Sequence, residues 1–409
     1  MEVVLRTKFI PALLGLAPSE VNGDLRQVLT HSVKMGGLAI RNPVDTATHV
    51  HEASMEATSH LTRSLVEAGV AFDLGQHKSV ASKARQDTRN NRMGRERCYL
   101  GQRGEEKAAV KRRDKRNCRA GIWLSVIPTR MNGTSLSANE WRDNARLRYN
   151  LKPLDMPQLC DGCMCPMSVE HALSCKKGGL VHIRHDDVAD EWRHLCGTAT
   201  TFSKVTREPR IYSSVSRRVV VAGNPETEAT TPATVVRNAN TTTPPGNPYQ
   251  TQQTRASNIT EERGDAGCHG FWERGKGCVF DMRITDTECR SNRNKDIDKV
   301  LAAHEKEKKD KYLHKCHEER MDFTPMVYSV DGIAGREARH AEKHLATYLS
   351  EKWKRGYPEM CFYVRVRMAL AVVKANSLLI RGSRDRQKAR RPQICDRASM
   401  YDWRVEQDC

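Results

Sequence analysis

The sequence predicts a mixed α/β (α+β) chain: a helical N-terminal region, a small cysteine-rich module, and a C-terminal sheet flanked by helices. Three observations carry this. Apolar residues recur at helical spacing in the first 80 residues, two runs after residue 277 read as strands, and four of fourteen cysteines crowd into sixteen residues between them. The 409 residues give room for two or three domains of about 100–200 residues each. Only 38% of the chain is hydrophobic and 6% aromatic, with a mean hydropathy of −0.67. That suits two modest cores joined by solvated segments better than one compact fold. The densest apolar run, Met368 to Val373, is bracketed by Arg367 and Lys374, far short of the roughly eighteen residues of a membrane span. Arg6 and Lys8 interrupt the apolar stretch Val3 to Leu16. The sequence therefore predicts an intracellular protein, nuclear or cytoplasmic, rather than a secreted one.

Residues 1–82 read as helical. Leu25, Val28 and Leu29 share one face, Gly36-Gly37 breaks it, and Leu61, Leu65 and Val66 resume the pattern. Residues 83–150 form a basic segment with connector helices. Between Lys83 and Arg119 stand fourteen Lys/Arg against five Asp/Glu, half of the formal +18 of the chain. Such a patch is the usual footprint of phosphate-backbone binding, with Lys111, Arg112, Arg113, Lys115 and Arg116 as its densest run. The bland alternative is a solvated charged face. Only Tyr99 and, just outside, Trp123 are interleaved with these charges, so binding would be electrostatic rather than by base stacking. Trp123 to Pro128 reads as a short buried strand or turn. Ser137-x-x-Glu140 is a capping box opening a helix through Leu147.

The cysteine module spans 151–180. Cys160-Asp-Gly-Cys163, seven residues, His171, three residues, Cys175 supplies a C-x2-C pair and an H-x3-C pair. Each short spacing lets a turn aim two ligands at one ion, as a tetrahedral zinc site requires. Cys165 is a surplus thiol that can replace Cys163. The alternative is a chance cluster of reduced cysteines; a disulfide framework does not suit an intracellular chain.

Residues 181–221 begin with a helix whose inner face carries Val181, Val188, Trp192 and Leu195. The stretch 222–262 holds ten Thr, five Pro and five Asn but no Leu, and is expected to be a disordered insertion or linker. Residues 263–380 resume order. Cys278 to Ile284 alternates as a strand, Lys299 to Lys315 is a charged helix, and Pro325 to Val330 is a second strand closed by Asp331-Gly332. Ala338, Ala341, Leu345, Tyr348 and Leu349 mark a helix to Trp353, and Val366 to Ile380 a more buried one. Residues 381–409 read as a basic tail.

Nearly the whole chain resembles the C-terminal part of non-LTR retrotransposon polyproteins, in which a reverse transcriptase is followed by a zinc knuckle and a restriction-enzyme-like endonuclease. Phe9-Ile-Pro-Ala-Leu-Leu-Gly15 and Met35-Gly-Gly-Leu-Ala-Ile-Arg-Asn-Pro43 are similar to the stretch after the polymerase palm. Asn132 to Ser137, Glu140 to Asp143 and Leu147 to Tyr149 are similar to the segment before the knuckle. Val169-Glu-His-Ala-Leu-Ser-Cys-Lys-Lys-Gly-Gly179 resembles the knuckle and is the most specific match. Phe280 to Thr287, Glu307 to Tyr312 and Phe323 to Gly332 resemble the nuclease region. No aromatic-x-Asp-Asp occurs, and the one Asp-Asp pair, Asp186-Asp187, lies on the helix after the knuckle.

The resemblance implies a DNA-nicking endonuclease fragment without its own polymerase site. Its partners would be DNA, the element's RNA and a reverse transcriptase in trans. It further implies a structural zinc and, if the chain is active, a catalytic Mg²⁺ on Asp265 and Asp281 in a PD-(D/E)xK-type site. The usual lysine position two residues after the second acid holds Arg283, an always-charged group that can stabilise a phosphorane but is a poor base. Lys308 or Lys309 on the next helix offers an alternative cation. His269, near Asp265, is expected to be a packing or solvent residue. Two other readings stand beside this one: a non-enzymatic nucleic-acid-binding zinc-knuckle protein, and a decayed element remnant.

Overall fold

The computed structural model describes residues 1–102, 108–130, 132–211 and 262–385. Most of the Thr-rich stretch and the chain after Asp385 lie outside the described residues. The class is mixed helix and sheet, as expected. The N-terminal part is helical: α1 (Glu2–Val4) and α2 (Ile10–Leu14) joined by a wide turn, α3 (Gly23–Thr30), α4 (Pro43–Val66), α5 (Leu74–Gln102) and α6 (Ala108–Asn117). Asn22 caps α3 by accepting from the Leu25 N–H at 2.8 Å. That cap turns Leu25, Val28 and Leu29 onto Ile10 and Leu14, and α7 (Ala138–Arg148) closes this first core through Ala145. The Ser137–Glu140 capping box forms as read.

Four of these expectations change. Leu61, Leu65 and Val66 are exposed at the end of α4, so their spacing marks no core face. Helix α5 runs unbroken across the boundary expected at 82–83. Trp123 sits in a 3-10 turn, Ile122–Leu124, rather than a strand, and packs against α12 (Tyr357–Arg381) through Val366, Ala369, Leu370 and Val373. Finally, α7 bridges the first core and the C-terminal body. Asp143 is fully buried, accepts from Ser377 and takes both nitrogens of the Arg381 fork at 2.7 Å.

After the cysteine module, which holds α8 (Val169–Ser174), comes α9 (Leu180–Ala199). A four-stranded sheet then forms in the order β1-β4-β5-β6: β1 (Val205–Arg207), β4 (Ala266–His269), β5 (Gly277–Thr285) and β6 (Asp322–Ser329). The short β2 (Arg210–Ile211) and β3 (Glu262–Arg263) pair beside it. Strand β5 runs antiparallel to β4 and parallel to β6, and the crossover between β5 and β6 is α10 (Ile297–Glu318). Pro325 faces Asp281 in that register and is tolerated because β6 is an edge strand.

The period of two in β5 divides its residues between two cores. Phe280 and Met282 face α9, α11 (Arg336–Trp353) and α12, where Trp192, Phe271, Leu345 and Val372 complete the larger core. Val279 faces the opposite side with Tyr312 and Cys316 of α10. Asp281 and Arg283 follow Val279 on that side. Buried Arg367 and Glu191 lock α12 to α9 with two contacts of 2.7 and 3.0 Å.

Candidate metal cluster and acidic cleft

The first site is local. Met164 (φ 58°) turns the chain back after Cys163. Cys160 N–H donates to Cys165 O at 2.9 Å and Met164 N–H to Cys160 O at 2.8 Å, which closes a tight loop. Ser168 caps α8 by accepting from the His171 N–H, and Cys175 ends the helix one turn later. Cys160, Cys163, His171 and Cys175 thereby place their ligand atoms within 4.8 Å of one another. Sγ of Cys175 lies 3.9 Å from Sγ of Cys160 and of Cys163, and Cys163 Sγ lies 3.3 Å from His171 Nε2. Thiolates held at zinc–sulfur distances of about 2.3 Å in a tetrahedron stand about 3.8 Å apart. The donors and spacing fit a metal such as zinc. Cys165 is exposed and outside the cluster, so Cys163 takes the contested place.

The cluster is seated on the end of α12. Arg384, only 2% exposed, donates to Ala172 O and Leu379 O at 2.7 Å, while its backbone N–H and Ser383 Oγ hold Asp161. A Cβ on Gly178 (φ +72°) would meet Arg384 Cα at 2.4 Å, so glycine is required there by both conformation and space. The start of the expected basic tail is thus an internal anchor.

The second site is assembled from distant segments. Asp265 lies in the bend between β3 and β4, outside the Thr-rich stretch. Its N–H donates to Phe280 O at 2.9 Å and its carboxylate accepts from the Met282 N–H. These two bonds hold it beside Asp281, the residue between those partners. Asp281 is 3% exposed and pairs through Oδ2 with Lys308 Nζ of α10. Burial raises its pKa, the nearby Asp265 adds to that, and Lys308 opposes both.

Sequence reasoning missed His185, from α9. Its Nε2 lies 2.9 Å from Asp265 Oδ2 and its Nδ1 3.2 Å from Asp186 Oδ1. Burial pulls the imidazole pKa down, but the two carboxylates outweigh it and lift it to about 9. The signal was present: His185 falls four residues after Val181 and three before Val188, on the inward face of the helix.

The other expected cations are placed elsewhere. Arg283 pairs with Glu307 at 2.7 Å and Lys309 with Glu337 at 2.8 Å. Successive helix residues point about 100° apart, so α10 presents Glu307 to Arg283, Lys308 to Asp281, and Lys309 to α11. His269 is exposed, in keeping with a solvent role.

The basic run also makes contacts within the protein. Arg112 donates to Glu288 and Thr287 O, Arg113 pairs with Asp114, and Lys115 pairs with Asp296. Arg116, 3% exposed, donates to Arg148 O and faces Asp331 at 3.5 Å. Of the five residues, only Lys111 and Lys115 are exposed. Helix α6 is a strap tying the N-terminal core to the sheet body, because those carboxylates and carbonyls consume its charge. The outward-facing charge is on α5, where Lys83, Arg85, Arg89, Arg95 and Arg97 are exposed.

No protein-family model matches the chain, and the search of curated proteins found no match. Among the described residues no helix is long and apolar enough to cross a membrane.

Proposed function

We propose that the chain is a DNA-nicking endonuclease fragment of a mobile element of the non-LTR retrotransposon kind. In this reading zinc fills the four-ligand cluster as a structural ion, and Asp265 and Asp281 hold Mg²⁺. The observation that carries the reading is the buried Asp281 carboxylate, paired with Lys308 beside Asp265. Two carboxylates supply the hard oxygen donors that magnesium takes. When bound there, the ion would supply Lewis-acid polarisation of a phosphoryl oxygen and an activated water. Lys308 favours the ionised form of Asp281 against its burial and offers its ammonium to developing phosphate charge. His185, hydrogen-bonded to Asp265, fixes that carboxylate's orientation. Partners in this reading are DNA, the element's RNA and a reverse transcriptase in trans.

A second reading, a nucleic-acid-binding protein without cleavage, is favoured by one observation: His185 and Lys308 already balance the two carboxylates. Incubation of zinc-loaded chain with supercoiled plasmid separates the two. Mg²⁺-dependent open-circular product, lost with EDTA and in Asp281→Ala while plasmid binding persists, supports the nuclease. Binding without any Mg²⁺-dependent nicking supports the second reading.

A further inference from the structure

Helices α4 and α5 pack along each other as a hairpin. At its tip, His60 Nε2 accepts from the Asp73 N–H at 3.0 Å, which closes the turn. At its base, Glu96 accepts from Ser32 N–H and Oγ at 3.0 and 2.7 Å, and Tyr99 meets His31 edge-on at 4.9 Å. The hairpin is anchored at that end, and most of α5 beyond the anchor faces solvent.

The charge of α5 has a direction. Lys78, Arg85, Arg89 and Arg92 follow one another at intervals of seven, four and three residues, which puts all four on one face of the helix. Ala81, Ala84 and Thr88, a quarter-turn round the helix, form its covered side. Lys78, Arg85 and Arg89 are exposed and, among the described residues, have no hydrogen-bond or carboxylate partner. Arg92 stands 3.8 Å from Glu96. The two acids of α5 do not cancel the stripe: Asp87 is on the opposite face, and Glu96 is buried and held by Ser32.

We propose that this stripe docks on the phosphate backbone of double-stranded DNA. At 1.5 Å per residue it runs about 20 Å, along which a duplex presents roughly twelve phosphates. A straight rod with a cation every one or two turns fits a rigid, evenly charged ladder. No aromatic side chain stands among the four cations, so the face lacks the stacking platform that a single strand uses. Ser82 and Gln86, beside them, lack the apolar area with which a helix enters a lipid surface. The inference takes its partner, DNA, from the proposed function and is independent of cleavage at Asp265 and Asp281.

The full zinc-loaded chain, without Mg²⁺, is titrated against a fluorescein-labelled duplex of roughly 30 base pairs in about 50 to 300 mM NaCl, with anisotropy as the readout. Lys78→Gln, Arg85→Gln and Arg89→Gln together, all at exposed positions, should weaken binding at least about tenfold near 100 mM salt. They should also lower the slope of log affinity against log salt by about 3, with the melting temperature unchanged. Lys83→Gln, Arg95→Gln and Arg97→Gln remove the same charge from other exposed faces of α5 and should leave the slope within about 1 of the parent chain's. Equal losses in the two triple variants, or none in the first, overturn the proposal. Stripe-dependent binding of the matching single strand, or of phosphatidylserine vesicles, as strong as that of the duplex also overturns it. Duplex binding through the stripe in a chain that never nicks plasmid would refute the nuclease reading and uphold this one.

Discussion

The four-ligand cluster and the acidic cleft reach comparable local order by opposite routes. The cluster draws its donors from sixteen consecutive residues, Cys160 to Cys175, closed by two turns and one short helix. The cleft draws on α9, a bend before β4, the centre of β5, and α10, which span residues 185 to 308. In the first, local turns bring the donors together and the end of α12 only seats them. In the second, packing of Trp192, Phe280 and Tyr312 on two sheet faces must succeed before any carboxylate meets its partner. The lesson is that the cluster can survive damage elsewhere, whereas the cleft reports on the whole body.

The largest expected effect breaks the cluster. Cys175→Ser should take zinc from about one per chain to none by metal analysis and sharply lower the melting temperature, since structural zinc binding and folding are coupled. Next comes the cleft. Lys308→Ala should cut plasmid nicking on the order of a hundredfold, while Arg283→Ala and Lys309→Ala stay within about twofold. Equal losses in all three would mean that the cation is not assigned by position. Arg116→Met should destabilise the chain by about 3 kcal/mol in urea unfolding, because it strands buried partners. It should not alter the salt dependence of nucleic-acid binding, as an open phosphate contact would.

A second buried carboxylate sharpens the contrast with Asp281. Burial pushes Glu342 up to about 7, and the Tyr328 hydroxyl that donates to it at 3.0 Å only partly offsets this. A carboxyl with a raised folded pKa favours folding at low pH, and that contribution is lost as pH rises from about 4.5 to about 7. Glu342→Gln should therefore change stability little near pH 5 and gain up to roughly 3 kcal/mol at pH 8 by chemical unfolding. Smallest of all, Cys165→Ser should leave zinc content unchanged.

Legibility in the sequence followed locality. The Cys160–Cys175 donors, the Ser137 cap and the β5-α10-β6 order were readable because spacing within one turn or strand determines them. Asp281 was readable as a strand residue, but the choice of Lys308 over Lys309 required the rotation of α10 against the sheet. The internal contacts of Lys111 to Arg116 were not legible for a related reason. Charge count does not reveal that Glu288, Asp296 and Asp331 lie opposite, more than 170 residues away. Leu61, Leu65 and Val66 show the converse, helical spacing with no core to receive it.

In the proposed function a hard cation sits on Asp265 and Asp281, apart from zinc on the cysteine–histidine cluster. Mn²⁺, standing in for Mg²⁺, can be titrated into zinc-loaded protein and followed by electron paramagnetic resonance. The expected result is one Mn²⁺ site that Asp281→Asn abolishes without releasing zinc. Mn²⁺ binding that persists in Asp281→Asn, or no Mn²⁺ site in the folded zinc-loaded chain, would contradict it.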